Sequence, residues 1–297
     1  MRVTFAGTLR DTYEGIESAA EKMVRYQRQV STGMRVSQPS DDPAAAATAI
    51  GEKASIGSFE QYTQAGDSAE SRLTVADTVL ADLIDKLSAA RTTILAVQGS
   101  NTTAAQRTAG AQELTSLRDF VLEDLNTSFG GTFLFGGASG TVRPYPKVAG
   151  VVQPYAGSTR EVSSEIDRGR SVPVTFDGST IAKGGEVRDV FTVFENAIAA
   201  ATSGDQDALL EASGDLQRAF DRATQAQSGV GTSLRAITDH QSRLADAVRA
   251  SKLRASSAED ANMVEAISGL QQSETAYQAA LGAASRMTRL SLFDYLK

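Results

Sequence analysis

The chain has 297 residues and a net charge of −7, with no cysteine, no tryptophan and only 6% aromatic residues. The missing cysteine excludes disulfides, thiolate nucleophiles and cysteine-bound metals, and the acidic balance argues against nucleic acid, because no basic face neutralises phosphates. A 41% hydrophobic share with so little aromatic volume suits Leu, Ile, Val and Ala seams between helices in two or three domains better than one large globular core.

In chain order, Phe5, Leu9, Ile16, Ala20, Met23 and Val30 form a helical apolar stripe, and Gly33 stands where a left-handed cap ends it. The segment Ser37-Gln38-Pro39-Ser40-Asp41-Asp42-Pro43 then breaks the chain. Asp42 is placed to cap a new helix whose first position is Pro43, running toward residue 65. Leu73, Ala76, Leu80, Leu83, Leu87, Ala90, Ile94 and Val97 alternate steps of three and four residues, a heptad seam that either continues that helix or begins another. Asn101-Thr102-Thr103 predicts a turn or cap before a helix with Leu114, Leu117, Val121 and Leu125 on one face.

From Gly130 to Gly137, glycine pairs bracket a short apolar run that predicts a strand. Further short strands are expected over Thr159 to Ile166 and Val172 to Phe176, among Pro144, Pro146, Pro154 and Pro173. Helical periodicity resumes with Val187, Val190, Phe191, Phe194 and Ile198, and another helix carries Leu209, Leu216 and Phe220. A second seam follows at Val230, Leu234, Ile237, Leu244 and Val248, with Gln241 and Ser251 as its polar members. The last helix carries Met263, Ile267, Leu270, Tyr277, Leu281 and Ala284. The expected fold is mainly α with a β-rich insertion: an elongated, coiled-coil-like helical rod formed by both ends of the chain, with a small β domain in the middle.

No catalytic, cofactor or metal site emerges. His240 is the only histidine, so histidine metal clusters and repeated histidine chemistry are excluded, and a seam or surface position is expected for it. The glycine run at 131–137 lacks the Gly-Lys-Ser/Thr ending of a phosphate loop. Asp41-Asp42 and Glu259-Asp260 do not match a calcium loop and suit helix N-termini. The amino terminus lacks the apolar run of a cleaved signal, and no segment has the length of a membrane span, so no membrane insertion is expected. The apolar stripes at the two ends are the strongest functional feature. A lone helix pair leaves each helix half wet, which points to neighbouring subunits covering the rest.

Two motifs carry a resemblance. Gln29-Val30-Ser31-Thr32-Gly33-Met34-Arg35-Val36, followed by Pro39-Ser40-Asp41-Asp42-Pro43, resembles the flagellin superfamily, especially its hook-filament junction proteins. Tyr277-Gln278-Ala279-Ala280-Leu281 and Ser291-Leu292-Phe293-Asp294-Tyr295-Leu296 are similar to that family's carboxyl terminus, and Phe133-Leu134-Phe135-Gly136-Gly137 to its entry into the outer domain. The resemblance implies three layers. Residues 1–33 and 259–297 would form an inner terminal coiled-coil layer, 34–130 and 186–258 a helical rod, and 131–185 an exposed β-rich domain.

It also implies a structural adaptor that is not an enzyme and has no cofactor. Such a protein would sit in the extracellular flagellum and leave the cell by type III export without a cleaved signal. Its partners would be its own copies in a helical layer, hook-associated protein 1 on the hook side, flagellin on the filament side and a cytoplasmic export chaperone. Phe5, Leu9, Ile16, Met23, Val30, Ile267, Leu270, Tyr277, Leu281, Met287, Leu290 and Leu292 would carry assembly, with Pro39, Ser40, Asp41, Asp42 and Pro43 as the spoke. A minor flagellin of the filament is the nearest alternative, and a cytoplasmic coiled-coil scaffold a more distant one.

Overall fold

The computed structural model describes residues 5–99 and 101–295, except for the side chains of residues 5, 6, 8, 9 and 287–295. The described helices are α1 (Phe5–Thr32), α2 (Pro43–Val97), α3 (Ala104–Leu125), α4 (Gly178–Ala182), α5 (Val190–Ser203), α6 (Gln206–Glu259) and α7 (Met263–Tyr295). Between α3 and α4 lie β1 (Ser128–Phe129), β2 (Thr132–Phe133), β3 (Lys147–Val148), β4 (Val151–Val152), β5 (Ser163–Asp167) and β6 (Arg170–Pro173). The fold is thus mainly helical with a small β insertion. Two compact units divide it: residues up to 58 with those from 247 onward, and residues 59–246.

The Leu73 seam is a continuation of the helix that starts at Pro43, since nothing between them interrupts the backbone ladder. Its start is fixed as the sequence suggests, with Asp42 Oδ1 accepting from the Ala45 amide at 3.1 Å. The Leu209 and Val230 stripes likewise belong to one helix, α6. Thr103 caps α3 reciprocally with Gln106, each side chain bonded to the other's backbone amide. Helix α5 starts at Val190, capped by Asp189. Val187 was expected on that helix but lies before it and is 92% exposed.

In the unit formed by residues 59–246, all eight members of the 73–97 seam are buried. They share one core with Leu114, Val121 and Leu125 of α3, Phe191 and Phe194 of α5, and Leu209, Leu216, Val230 and Ile237 of α6. Helix α3 also packs along α5. His240 lies buried on α6, its Nε2 3.3 Å from Asp167 Oδ2.

The β block is more turn than sheet. Its described strands form three separate antiparallel hairpins, β1-β2, β3-β4 and β5-β6. The strand expected from Thr159 begins only at Ser163, because the Val162 amide is taken by the Thr175 hydroxyl at 2.8 Å. Its partner ends at Pro173, short of Phe176, since Val174 and Thr175 both turn their amides onto the Val162 carbonyl. Irregular crossings supply the remaining hydrogen bonds: Gly137 N donates to Phe176 O at 3.0 Å, and Phe176 N to Leu134 O at 2.8 Å.

Side chains anchor this block to the helices beneath. Arg72 of α2 donates from Nε to the Val174 carbonyl at 2.5 Å and from Nη1 to the Thr132 hydroxyl at 2.7 Å. Asn126 clamps the Tyr145 backbone through Nδ2 to O at 2.8 Å and through Oδ1 from N at 2.9 Å. Its amide is therefore committed to the fold, although the sequence there reads as a glycosylation signal. The Tyr145 ring is buried, its hydroxyl donates to Gly178 O at 3.2 Å, and burial pushes its pKa above the ordinary tyrosine value.

Candidate assembly surface

Helices α1 and α7 meet in the other unit, made of residues up to 58 and from 247 onward. Helix α1 ends where Gly33, at φ 72°, adopts the left-handed conformation and its amide closes back on Gln29 O at 2.8 Å. The chain then crosses the α6–α7 turn as an antiparallel bridge pairing Met34 with Asp260. Arg35 N donates to Glu259 O at 2.7 Å, and Ala261 N to Gly33 O at 2.8 Å. The Arg35 guanidinium adds bonds to Ala258 O at 2.8 Å and to Asp42 Oδ2 at 3.2 Å. This backbone-built knuckle sets the end of α1 beside the start of α7, and the two helices pack antiparallel.

The spoke residues form the turn that follows. Asp41 Oδ2 accepts from the amides of Ser37 and Gln38, both at 3.0 Å, and from the Ser37 hydroxyl at 3.2 Å, while Asp42 starts α2. These bonds to the charged form hold both carboxyls below the ordinary Asp value, those to Asp41 led by the Gln38 amide and those to Asp42 by the Ala45 amide. Pro39 and Ser40 are exposed, and Pro43 occupies the first helical position. Lys53 Nζ with Glu259 at 2.6 Å, and Arg254 with Glu52 at 2.7 and 2.9 Å, tie α2 to the end of α6. Such surface pairs orient the helices more than they stabilise them.

The core of this unit is thin. Among the described residues, those buried here are Ala19, Val36, Ala46, Ala49, Ser251, Ala255, Ala266 and Ser273, all small except Val36. Several large apolar side chains face outward. Ile267 is 45% exposed and Leu281 44%, and Tyr13, Val24 and Val264 are exposed as well. Ile16, Met23, Val30, Leu270 and Tyr277 are half-buried. The side chains of Phe5, Leu9, Met287, Leu290 and Leu292 lie outside the described residues.

Sequence reasoning missed Gly269. A Cβ there would lie 2.6 Å from the Tyr26 ring, so its glycine lets α1 and α7 close on each other. Gly269→Val is expected to destabilise the terminal pair by about 1–3 kcal/mol, and to lose most of that effect in a Tyr26→Ala background. Urea unfolding of the four proteins of this double-mutant cycle measures the coupling, and an equal cost in both backgrounds would show that the ring does not set the helix spacing.

Among the described residues, no group of three or more His, Cys, Asp and Glu side chains is arranged to hold a metal. No described helix is long and apolar enough to cross a membrane. What this geometry offers is an uncovered apolar face on two paired helices, held by a knuckle and a capped turn.

Residues 8–139 match the family described as the bacterial flagellin N-terminal helical region. That match spans less than half of the chain. Its relatives extend the likeness over the full length. It is 24% identical to flagellar hook-associated protein 3 of Escherichia coli, covering 100% of both chains, and 22% identical to the protein of the same name from Salmonella typhimurium, covering 99% of both. Among solved structures, FlgL of Bacillus cereus superposes with a TM-score of 0.60 at 18% identity, covering 69% of this chain and 99% of that one. The flagellar junction protein FlgL of Legionella pneumophila gives 0.62 at 12% identity, covering 72% and 100%. These solved structures share the fold, a helical protein with a small β insertion. The matches are to structural components of the flagellum, and none of those named is an enzyme.

Proposed function

We propose that this chain is a structural adaptor of the bacterial flagellum, placed between a hook-side junction protein of the hook-associated protein 1 kind and the flagellin filament. The observation that supports it best is the terminal helix pair, which buries alanine and serine against itself while leaving Ile267, Leu281 and Val264 outward. At ~1.5–3 kcal/mol per large apolar side chain on full burial, a stripe of such residues stabilises a stacked layer far more than it stabilises the lone chain. Many copies in a closed helical layer then act together, so weak single contacts resist torque.

In this reading residues 1–33 and 259–297 form the inner layer, 34–130 and 186–258 the rod, and 131–185 the exposed domain. The side chains at Phe5, Leu9, Ile16, Met23, Val30, Ile267, Leu270, Tyr277, Leu281, Met287, Leu290 and Leu292 carry the stacking, and the 39–43 turn is the spoke. Export proceeds through the flagellar type III apparatus, with a cytoplasmic chaperone covering the carboxyl-terminal helix beforehand.

Full-length similarity to proteins named hook-associated protein 3 favours the adaptor over a minor flagellin. Purified protein added to filament seeds separates the two. The expected outcome is a short cap whose length does not grow with added protein, whereas indefinite elongation would assign the chain to the filament.

A further inference from the structure

Helix α1 carries its charges in two blocks. From Asp11 to Glu21 the charged residues are Asp11, Glu14, Glu17 and Glu21, with no base among them. From Lys22 to Arg28 they are Lys22, Arg25 and Arg28, with no acid. All of these are exposed, whereas Ile16, Ala19, Met23 and Tyr26 are half-buried or buried and form the inner face of the helix. The order does not serve the helix macrodipole, whose influence ends within the first and last turns, because the first turn holds no acid and the last no base. Like charges also recur three or four residues apart, at Glu14, Glu17 and Glu21 and again at Lys22, Arg25 and Arg28, which weakens an isolated helix.

The rest of the chain leaves most of these charges open. Glu14 meets Arg10 at 2.9 Å, but that pair is exposed on both sides and holds neither residue firmly. Arg28 adds a minor share to the lowering of the Asp41 pKa, which the Gln38 amide leads. Among the described residues, Asp11, Glu17, Glu21, Lys22 and Arg25 have no ion-pair partner. The described side chains of α7 include only three charges, Glu265, Glu274 and Arg286, too few to cancel either block.

The blocks mirror each other. Asp11 and Arg28, Glu14 and Arg25, and Glu17 and Lys22 are each equally far from the midpoint between Ala19 and Ala20. Two copies of α1 laid antiparallel about that midpoint bring an acid level with a base at each of these positions, and every pairing occurs twice. The same register sets Glu21 level with Ser18 and Arg10 level with Gln29, so no like charges meet. A parallel pair in register would set acid against acid and base against base. Tyr13 and Val24, both exposed, lie about three turns apart on one side of the helix and add apolar area to the contact.

We infer that the outer face of α1 pairs antiparallel with the same face of a second copy in solution. The contact is isologous and closes a two-fold dimer instead of propagating. Its charges set direction and register more than affinity, so the dimer is weak and sensitive to salt. Copies stacked in one direction along a filament cannot share this contact, and the dimer therefore holds free subunits back from premature layering. That consequence rests on the adaptor reading, whereas the dimer itself does not.

With no native cysteine, single cysteines report the register directly. Ser18→Cys places its two copies within one helical turn of each other, and Ser31→Cys places them roughly 35 Å apart along the axis. In the purified full-length protein treated with a short thiol cross-linker, Ser18→Cys is expected to give a covalent dimer that fades at high salt, and Ser31→Cys none. Two charge-reversed proteins test the chemistry by sedimentation. Glu14→Lys with Glu17→Lys makes the face mostly basic, and Lys22→Glu with Arg25→Glu makes it mostly acidic. Each alone is expected to dimerise roughly tenfold more weakly than the wild type, and their equimolar mixture to recover a heterodimer. Recovery also shows that both proteins are folded. The proposal is overturned by absence of the Ser18→Cys dimer, by equal cross-linking at positions 18 and 31, by undiminished dimerisation of either reversed protein, or by a mixture that does not recover. Absence of the wild-type chain from flagella would instead overturn the adaptor reading and leave the dimer result standing.

Discussion

Ile267→Asp combined with Leu281→Asp is expected to leave the isolated chain nearly as stable as the wild type and to abolish its incorporation into flagella. Both side chains are close to half exposed on α7, so a charge placed there stays hydrated in the lone molecule. Exposed substitutions of this kind shift stability by about 0.5 kcal/mol. In a stacked layer the same carboxylates would be stripped of water with no partner, at a cost of ~3–5 kcal/mol each. A penalty of that size lowers subunit affinity a hundredfold or more. Urea unfolding of the purified variant and immunoblots of sheared flagella measure the two quantities separately, and Leu281→Met serves as the volume-conserving control that should still assemble. Wild-type incorporation of the double Asp variant would mean that this face is not the assembly surface. Loss of monomer stability in step with loss of assembly would mean that the face is already covered within one chain.

That experiment addresses the distinction the sequence leaves open. Steps of three and four residues reveal that Leu73 to Val97 and the stripe on α7 are each one-sided, and by pattern alone the two look equivalent. The structure separates them, because the first is buried with α3, α5 and α6 in a core of large side chains, while on α7 the described buried residues are only Ala266 and Ser273. Caps were legible because their chemistry is local: Asp42 before Pro43, Thr103 with Gln106, and Gly33 after the α1 stripe each act within four residues.

What escaped the sequence is made by groups distant along the chain. The knuckle joining 33–36 to 258–261 is built from backbone amides and carbonyls that any residue possesses, so no motif announces it. Gly269 has meaning only through the ring of Tyr26, far earlier in the chain. The β3-β4 hairpin was invisible because Ala149-Gly150 is not the expected turn pair. Strand lengths were overestimated where the hydroxyl of Thr175 displaced a ladder bond at Val162.

The glycine run of the middle domain gives the second large expected effect, because its members have different reasons for being glycine. Gly137 has φ +58°, and a Cβ there would lie 1.9 Å from Ser158 O and 2.8 Å from Arg160 O. Neither obstacle is a side-chain tip that can swing aside. The carbonyls belong to a crossing in which Ser158 N donates to Gly136 O and Ala138 N to Arg160 O, at 3.0 and 2.7 Å. Gly137→Ala therefore combines a left-handed backbone penalty of ~1–2 kcal/mol with displacement of two bonds worth ~1 kcal/mol each, for a total of about 3–4 kcal/mol. Gly131 has φ +78° but open space around its Cβ position, so Gly131→Ala meets the backbone penalty alone, about 1–2 kcal/mol. Denaturant midpoints of the two variants, compared at equal m-value, should differ by roughly 2 kcal/mol or more in free energy. Equal losses would mean that the 158–160 segment yields freely. The match expected of Phe133-Leu134-Phe135-Gly136-Gly137 to a family motif would then reflect turn conformation alone, rather than two stretches of main chain pressed too close for any side chain to pass.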